Sequence, residues 1–361
     1  MANTLSYGFI GLEELSKERV SDVGIERIWT AIEASHAEHQ RQIDGLMATM
    51  VEKTIKAKQQ LQLPGSGTSQ PLDEWGNPRP VREAGYYNLA YPIQGAGHAW
   101  GTNRVSRALM TVEEANRQTV EALRRDADWI KRHIMAAIFS NDTWDFTDRI
   151  GPDGADGLGA ITIQCLANTD TVVYLRVGGD SAVDEHYLAQ AAAISDSADP
   201  FEDIYEELME HPSNTEPVVV YVPTNLKAST MALTAFVPVG DSEIAYGTST
   251  DLLRGPIGRG LGDKVLGRVD ECWIVQWRSL PDNYIIAHAQ GAGPVLKMRE
   301  YPASSLQGVI AENHSPDGNL SEVRSIRYAG FGVCNRVAAC CCRIGNGSYA
   351  IPSGYDTPLA V

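Results

Sequence analysis

His36 and His39 are the first side chains in the sequence whose spacing could bind a metal ion. Residues three apart share a face of a helix, but the run HAEH matches neither HExxH nor HxxEH, the patterns in which a helix carries a zinc site. No third ligand is indicated nearby in the sequence. We therefore expect both histidines to lie on a solvated helix surface.

Three further patterns resemble functional motifs and lack a required part. The glycine-rich run Gly255–Lys264 (GPIGRGLGDK) lacks the GK[ST] ending of a phosphate-binding loop. Asp126 and Asp128 lie two apart on a predicted helix and so point to different faces. Asp153 and Asp156 lack the spacing and the terminal Glu of a calcium loop. The sequence therefore predicts no catalytic, cofactor-binding or metal site, and a protein that is not an enzyme.

The six cysteines do not form a recognisable metal or disulfide pattern, because the chain contains no CxxC pair. Cys340, Cys341 and Cys342 are consecutive, and consecutive strand residues alternate between faces. That run cannot direct three thiolates at one ion. We expect reduced, mostly buried thiols, as in a cytosolic protein.

Composition and charge exclude several classes of protein. The 361 residues suit roughly two domains, and 43% hydrophobic with 21% charged residues is typical of a globular chain. A net charge of −16 argues against a dedicated nucleic-acid-binding protein. No apolar run approaches the ~18 residues that span a bilayer, and we expect neither membrane association nor a secretory signal.

The first 64 residues are predicted to form an arm, helical from about Glu18 to Gln62. Its apolar stripe is interrupted between Ser35 and Gln42, and so sparse a stripe needs a partner to hold the helix. The run Pro64-Gly65-Ser66-Gly67 is expected to end it. We expect the stripe to be buried on a neighbouring subunit.

Residues 65–110 combine glycines and prolines with aromatic and basic side chains, which favours a long hairpin or extended loop. A basic aromatic loop on an acidic chain suggests a contact with another copy. The predicted inter-subunit contact residues are Arg79, Arg82, Tyr86, Tyr87, Tyr91, Trp100, Arg104 and Arg107.

The strongest secondary-structure signal predicts a helix from about Val112 to Phe139. Thr111 and Glu114 form a capping box at its start. Apolar residues then recur at spacings of three and four, which predicts a buried stripe. That stripe consists of Val120, Leu123, Ala127, Ile130, Ile134 and Ile138.

The rest of the chain mixes strands and helices without regular βαβ repeats, which predicts an α+β fold. Residues 180–216 carry 11 acidic residues and no Lys or Arg, and include a predicted helix over Pro200–Pro212 with a solvated acidic face. Val218–Val222 is predicted to be a buried strand, and Asn225–Phe236 a helix. Strands are predicted through most of the remainder.

Three segments resemble those of tailed-bacteriophage major capsid proteins. They are the closing segment RYAGFGVCNRVAACCCRIGNGSYAIPSGY (Arg327–Tyr355), VLGRVDECWIVQWRSLPDNYIIAHA (Val265–Ala289), and ELMEHPSNTEPVVVYVPTNLKASTMALTAFVP (Glu207–Pro238). The order of arm, extended loop, long helix and mixed body is similar too. Together these features cover most of the chain.

The resemblance implies the α+β HK-97-type fold, with the long helix as its spine. Residues 1–64 would be the N-arm, 65–110 the E-loop, 111–179 the peripheral domain with the spine helix, 180–294 the axial domain, 295–336 a return to the peripheral domain, and 337–361 the axial C-terminal segment. Some relatives crosslink their subunits through Lys and Asn. No Lys lies between Gly65 and Met110, so crosslinking is not supported here.

The resemblance further implies a subunit that assembles with itself, as hexamers and pentamers, into an icosahedral phage head. Such a head would enclose double-stranded DNA without binding it tightly, and portal, scaffold and decoration proteins would be its other partners. No cofactor is implied. The location would be the virion, after assembly in the host cytoplasm. The alternatives are an encapsulin-like nanocompartment that encloses a cargo enzyme, and a cytosolic α+β hydrolase.

Overall fold

The computed structural model describes residues 8–9, 11–62, 72–77, 86–101, 109–147, 160–169, 171–181, 183–239, 262–313 and 322–355. The α-helices in these ranges are α1 (Val20–Val23), α2 (Ile25–Met47), α3 (Val112–Phe139), α4 (Pro200–Met209) and α5 (Lys227–Met231). The strands are β1 (Val51–Thr54), β2 (Lys58–Gln62), β3 (Tyr86–Ala90), β4 (Gln94–Gly101), β5 (Trp144–Thr147), β6 (Ala160–Ile163), β7 (Tyr174–Arg176), β8 (Gly179–Ser181), β9 (Tyr187–Gln190), β10 (Val218–Val222), β11 (Phe236–Pro238), β12 (Lys264–Val269), β13 (Cys272–Gln276), β14 (Tyr284–Ala289), β15 (Leu296–Glu300), β16 (Val309–Asn313), β17 (Glu322–Val333) and β18 (Ala339–Ile344).

A five-stranded sheet is built around β17, the longest strand. β16 and β15 pair in turn along one edge of β17, and β4 pairs along the opposite edge. β1 adds to β15 in parallel. Gly330 lets a second backbone segment cross this sheet closely, because a Cβ atom there would overlap the Pro92 carbonyl group.

A seven-stranded mixed sheet has the order β11-β12-β13-β10-β14-β18-β9. Its central strand β10 is buried along its whole length, which confirms the strand predicted at Val218–Val222. Val218, Val220 and Val222 pack in one hydrophobic cluster with residues of α4. Val219 and Tyr221 pack in another, with the C-terminal half of α3. The alternation of side chains across the strand thus places one core on each face of the sheet.

Helix α3 begins and ends where its sequence pattern predicts. The Thr111 hydroxyl accepts a hydrogen bond from the Glu114 backbone N–H at 3.2 Å and so caps the helix. Leu123, Ala127, Ile130, Ile134 and Ile138 are all buried, and Val120 is half-buried. The predicted stripe is therefore the core-facing side of this helix.

The prediction of a helix from Glu18 to Gln62 is wrong in its last third. Helix α2 ends at Met47, and the chain then forms the strands β1 and β2. The β1 strand pairs in parallel with β15, and β2 pairs antiparallel with β3. Because those partners lie far along the chain, local helix propensity does not decide the conformation here.

The expectation that the α2 stripe is buried only on a neighbouring subunit is also wrong. Ile28, Ile32 and Ile43 are at most 1% exposed within the chain itself. The gap between the apolar groups is closed by Ser35, His36 and His39, which are buried on the same face. The stripe is continuous once these polar residues are included, and it packs on α3 and on the five-stranded sheet.

Two predicted helices between residues 200 and 236 are shorter than their sequence patterns indicate. α4 stops at Met209 and α5 covers Lys227–Met231. In α4 the residues Phe201, Ile204 and Leu208 are buried against the seven-stranded sheet. Its acidic residues Glu202 and Glu206 are exposed as predicted, whereas Glu207 is turned inward and is half-buried.

Candidate functional site

The strands β2 and β3 form a two-stranded antiparallel hairpin that lies outside both large sheets. Tyr86 is 66% exposed on it and Tyr87 is half-buried. Residues 72–77, which lie between these two strands in sequence, form a turn around Asp73. The Asp73 carboxylate accepts hydrogen bonds from the Trp75 and Asn77 backbone N–H groups at 2.9 and 2.8 Å. Trp75 is 86% exposed at this turn. Trp75 and Tyr86 thus present large apolar surfaces to solvent.

Of the eight predicted contact residues, two do not lie on the surface. Tyr91 is 0% exposed and packs with Leu89 and Cys334. Trp100, on β4, is 6% exposed and packs beneath α2. Both aromatic residues belong to the core of the chain. Trp100 lies on β4, a strand of the five-stranded sheet, and Tyr91 follows β3, with its backbone N–H donating to the Ala57 carbonyl oxygen. Arg79, Arg82, Arg104 and Arg107 lie outside the described residues.

A buried ionic junction joins α2, α3 and β17. The Arg327 guanidinium donates to both carboxylate oxygens of Asp126 at 2.6 and 2.7 Å, and His39 Nε2 lies 2.9 Å from the same carboxylate. The Gln40 side-chain oxygen accepts from Arg327 at 2.9 Å and from the Val309 backbone N–H at 3.2 Å. Burial raises the pKa of Asp126, but the Arg327 charge and the His39 hydrogen bond outweigh it and lower that pKa to about 2. Asp126 is therefore a structural anion.

The prediction that His36 and His39 lie on a solvated surface is wrong. His36 is 3% exposed, with Nδ1 at 2.8 Å from the Ile32 carbonyl oxygen and Nε2 at 2.8 Å from the Ser325 hydroxyl. His39 contacts the Asp126 carboxylate through Nε2. Both rings therefore serve as polar core residues that connect α2 to the body.

The prediction that the cysteines are buried is confirmed for all six residues. Cys340 and Cys342 pack in the cluster that includes α4, whereas Cys341 faces α3, with its Sγ 3.6 Å from the Ile138 carbonyl oxygen. Consecutive thiols therefore point to opposite faces of the seven-stranded sheet.

Sequence reasoning missed a second polar cluster, which lies between the start of β9 and the end of α4. Asp184, His186 and His211 are each at most 2% exposed, and their ligand atoms all lie within 4.8 Å of one another. Asp184, Glu207 and Glu210 form an overlapping group with the same spacing. The sequence signals were the runs DEH (184–186) and EH (210–211), too short and too far apart to suggest a shared site.

Burial and the charges of neighbouring groups shift the pKa values in this cluster. Burial and the charges of Glu210 and Asp184 raise the pKa of Glu207 to about 7. Burial lowers the pKa of His186 to about 4. Burial alone would also lower the pKa of His211, but the Asp184 carboxylate raises it above its ordinary value. The Arg176 guanidinium pairs with Glu210 at the rim.

Two carboxylates of this cluster, Glu207 and Glu210, border a cavity of about 550 Å³ at the surface of the seven-stranded sheet. Its lining includes Arg176, Asp203, Glu206, Glu207 and Glu210. The strongly acidic wall suits a cation. No helix in the described part of the chain is long and apolar enough to cross a membrane.

The chain resembles solved phage structures in fold. No protein-family model and no curated protein matches it. A solved structure of Mycobacterium phage Patience is 19% identical, with a TM-score of 0.67 over 96% of each chain. The capsid of a native GTA particle is 11% identical, with a TM-score of 0.46 over 84% of this chain and 90% of that one. The capsid of the cyanophage P-SCSP1u is 10% identical, with a TM-score of 0.46 over 82% and 86%. Over nearly its full length, the chain therefore has the α+β fold of the Mycobacterium phage Patience chain.

Proposed function

We propose that this chain is the major capsid protein of a tailed bacteriophage and assembles with itself into an icosahedral head around double-stranded DNA. The observation that carries the proposal is the fold shared with a mycobacteriophage chain over 96% of both lengths. The capsid-like segments in the sequence, from Glu207 to Tyr355, agree with it. In this role the chain is structural, without catalysis or a cofactor.

The division into an HK-97-type N-arm, E-loop, peripheral domain and axial domain is part of the proposal. The five-stranded sheet with α3 would form the peripheral domain, and the seven-stranded sheet with α4 and α5 the axial domain. The hairpin of β2 and β3 would be the E-loop. In such a shell the subunits form hexamers and pentamers, and portal, scaffold and decoration proteins contact them. Assembly would take place in the host cytoplasm and yield the virion.

The exposed hairpin supports a role in contacts between subunits. Trp75 and Tyr86 expose 86% and 66% of their surface, and Leu72 exposes 62%. Exposed apolar groups of this size, close in sequence on one turn and one strand, are typical of an interaction surface. Burial on a neighbour would stabilise assembly by about 25 cal/mol per Å² of apolar area, and each copy in a shell would add the same contribution.

The proposal is tested by assembly of the full chain and by replacement of the hairpin aromatics. Light scattering and negative-stain microscopy of the purified protein should show closed particles. Trp75→Ser/Tyr86→Ser should abolish or weaken assembly while circular dichroism and the unfolding midpoint stay unchanged. Gln60→Ser/Asn88→Ser is the matched control, because both residues lie on exposed polar positions of the same hairpin.

Three outcomes count against the proposal in different ways. A stable monomer under every assembly condition would contradict self-assembly. Normal particles from the Trp75→Ser/Tyr86→Ser chain would remove the hairpin from the interface. Particles produced with the other phage components, but enclosing protein in place of nucleic acid, would favour the encapsulin-like alternative; the ratio of absorbance at the nucleic-acid and protein maxima measures this.

A further inference from the structure

We propose that Asp184, His186 and His211 bind a divalent transition-metal ion such as Zn²⁺, with the Glu210 carboxylate beside them. The site joins the segment before β9 to the C-terminal end of α4. The proposed metal site does not depend on the function proposed above. The ion would join these two segments in a shell subunit and in any other protein with this fold.

The two histidine rings are held in the orientation that metal ligands require. His186 Nδ1 lies 2.8 Å from the Ala339 carbonyl oxygen, and His211 Nδ1 lies 3.0 Å from the Leu175 carbonyl oxygen. A carbonyl oxygen only accepts, so each Nδ1 carries the proton, and Nε2 of each neutral ring presents its lone pair. A backbone carbonyl that fixes the ring in this way is a usual companion of a histidine ligand.

The two lone pairs point at each other. His186 Nε2 and His211 Nε2 are 3.2 Å apart, at the centre of a region from which water is largely excluded. Two acceptors at this distance repel unless a positive charge lies between or beside them. Either a metal ion or a proton on one ring can supply that charge.

The carboxylates favour the metal ion. Asp184 is 2% exposed, and neither of its oxygens accepts a hydrogen bond from any described residue. The Glu210 Oε1 atom is also buried and has no hydrogen-bond partner among the described residues, while Glu210 Oε2 pairs with Arg176. One proton on one ring would leave most of these oxygens unsatisfied, whereas a bound cation satisfies them together.

The distances among the two histidine Nε2 atoms and the Asp184 carboxylate oxygens, 3.2–3.9 Å, bracket those of a tetrahedral ion. Zinc binds nitrogen and oxygen at about 2.0–2.2 Å, which places tetrahedral ligand atoms about 3.3–3.6 Å apart. His211 Nε2 is 3.4 Å from Asp184 Oδ2 and 3.6 Å from Glu210 Oε1, and His186 Nε2 is 3.9 Å from Asp184 Oδ1. Imidazole ligands select zinc, nickel, copper or iron over calcium and magnesium, which prefer oxygen alone.

An acidic cavity adjoins the carboxylates of this cluster. Glu207 and Glu210 line it, and they also belong to the group of carboxylates around Asp184. The wall carries Asp203 and Glu206 as well, so the local potential attracts a cation from solvent toward the buried ligands.

The decisive measurement is zinc stoichiometry on the untagged full-length chain. The protein is stripped with a chelator, dialysed, and titrated with Zn²⁺ in competition with a chromophoric chelator, with bound metal quantified by mass spectrometry. We expect about one tightly bound ion per chain, which requires all ligands deprotonated or neutral. Asp184→Asn and His186→Gln should lose it. His133→Gln is the control, because it removes another buried histidine, 2% exposed, on α3.

Two measurements on the wild-type chain avoid the risk that a variant does not fold. X-ray absorption at the zinc edge should show nitrogen and oxygen ligands, with scattering from two imidazole rings. The thermal midpoint should rise as Zn²⁺ is added, because the ion binds the folded state. A stoichiometry well below one, sulfur in the coordination shell, or equal binding by the Asp184→Asn chain would overturn the proposal and leave a proton as the charge between the rings.

Discussion

Replacing Asp126 by asparagine tests the junction that holds α2 and α3 to the five-stranded sheet. The substitution keeps the size of the side chain and removes its charge. Arg327 is 1% exposed and would then be buried without its counter-ion. The folded state should lose stability because a buried cation without an anion carries its full desolvation cost.

Two routes bracket the magnitude. Removal of one partner from a buried ion pair costs about 3–5 kcal/mol. Separately, the pKa of Asp126 lies at about 2 against an ordinary value of 3.8. At about 1.36 kcal/mol per pKa unit, this depression corresponds to about 2 kcal/mol of stabilisation by the charged carboxylate. Because asparagine can still accept one hydrogen bond from Arg327, we expect a loss of about 3 kcal/mol in the free energy of unfolding.

The effect should depend on pH with a definite sign. The folded-state pKa of Asp126 is below its unfolded-state value, so its contribution is fully present above about pH 5 and is lost as pH falls toward 2. Wild type and Asp126→Asn should therefore differ most near neutral pH. The difference should shrink as the pH falls below about 4.

Urea unfolding of unassembled subunits measures the difference in the free energy of unfolding between wild type and Asp126→Asn. Tryptophan fluorescence, to which Trp129 on the same helix contributes, can follow the transition. Asp128→Asn is the matched control, since Asp128 is exposed two residues further along α3 and should change stability by less than about 0.5 kcal/mol. A double-mutant cycle with Arg327→Gln should give a coupling energy of about 1–3 kcal/mol. An Asp126→Asn midpoint equal to that of the control, or additive effects in the cycle, would refute the reasoning.

Three further outcomes are expected. Ile130→Asp, at a 0% exposed position of α3, should cost several kcal/mol and leave little soluble protein, whereas Arg124→Asp on the exposed face should not; soluble, folded Ile130→Asp protein would contradict the core assignment. The backbone amide hydrogens of Ile28–Ile43 should exchange slowly with solvent in unassembled subunits, because α2 packs on its own chain. Exchange as fast as in an unfolded peptide would show that α2 packs only on a neighbouring subunit. All six thiols should resist alkylation until the protein is unfolded, since all six are buried and burial raises, for example, the pKa of Cys334 to about 11; rapid labelling of the native chain would refute this.

The sequence alone was sufficient wherever a signal is local. The bounds of α3 follow from its capping box and its apolar spacing, since both act within a few residues. The buried strand Val218–Val222 and the alternation of Cys340, Cys341 and Cys342 follow from the two-residue period of a strand. The mixed order of elements likewise predicted the α+β class.

Only the tertiary structure decided where polar residues go. His39 meets Asp126 across 87 positions and Arg327 meets Asp126 across 201, and no local pattern encodes such partners. Without these partners, the polar stretch of α2 is indistinguishable from a solvated face. The sequence therefore predicts a helix that is held only by a neighbouring subunit. The same holds for His186 and His211, which approach each other across 25 residues because a sheet strand and a helix terminus meet there. A buried polar group is stable only with its partners, so its role depends on contacts that folding alone creates.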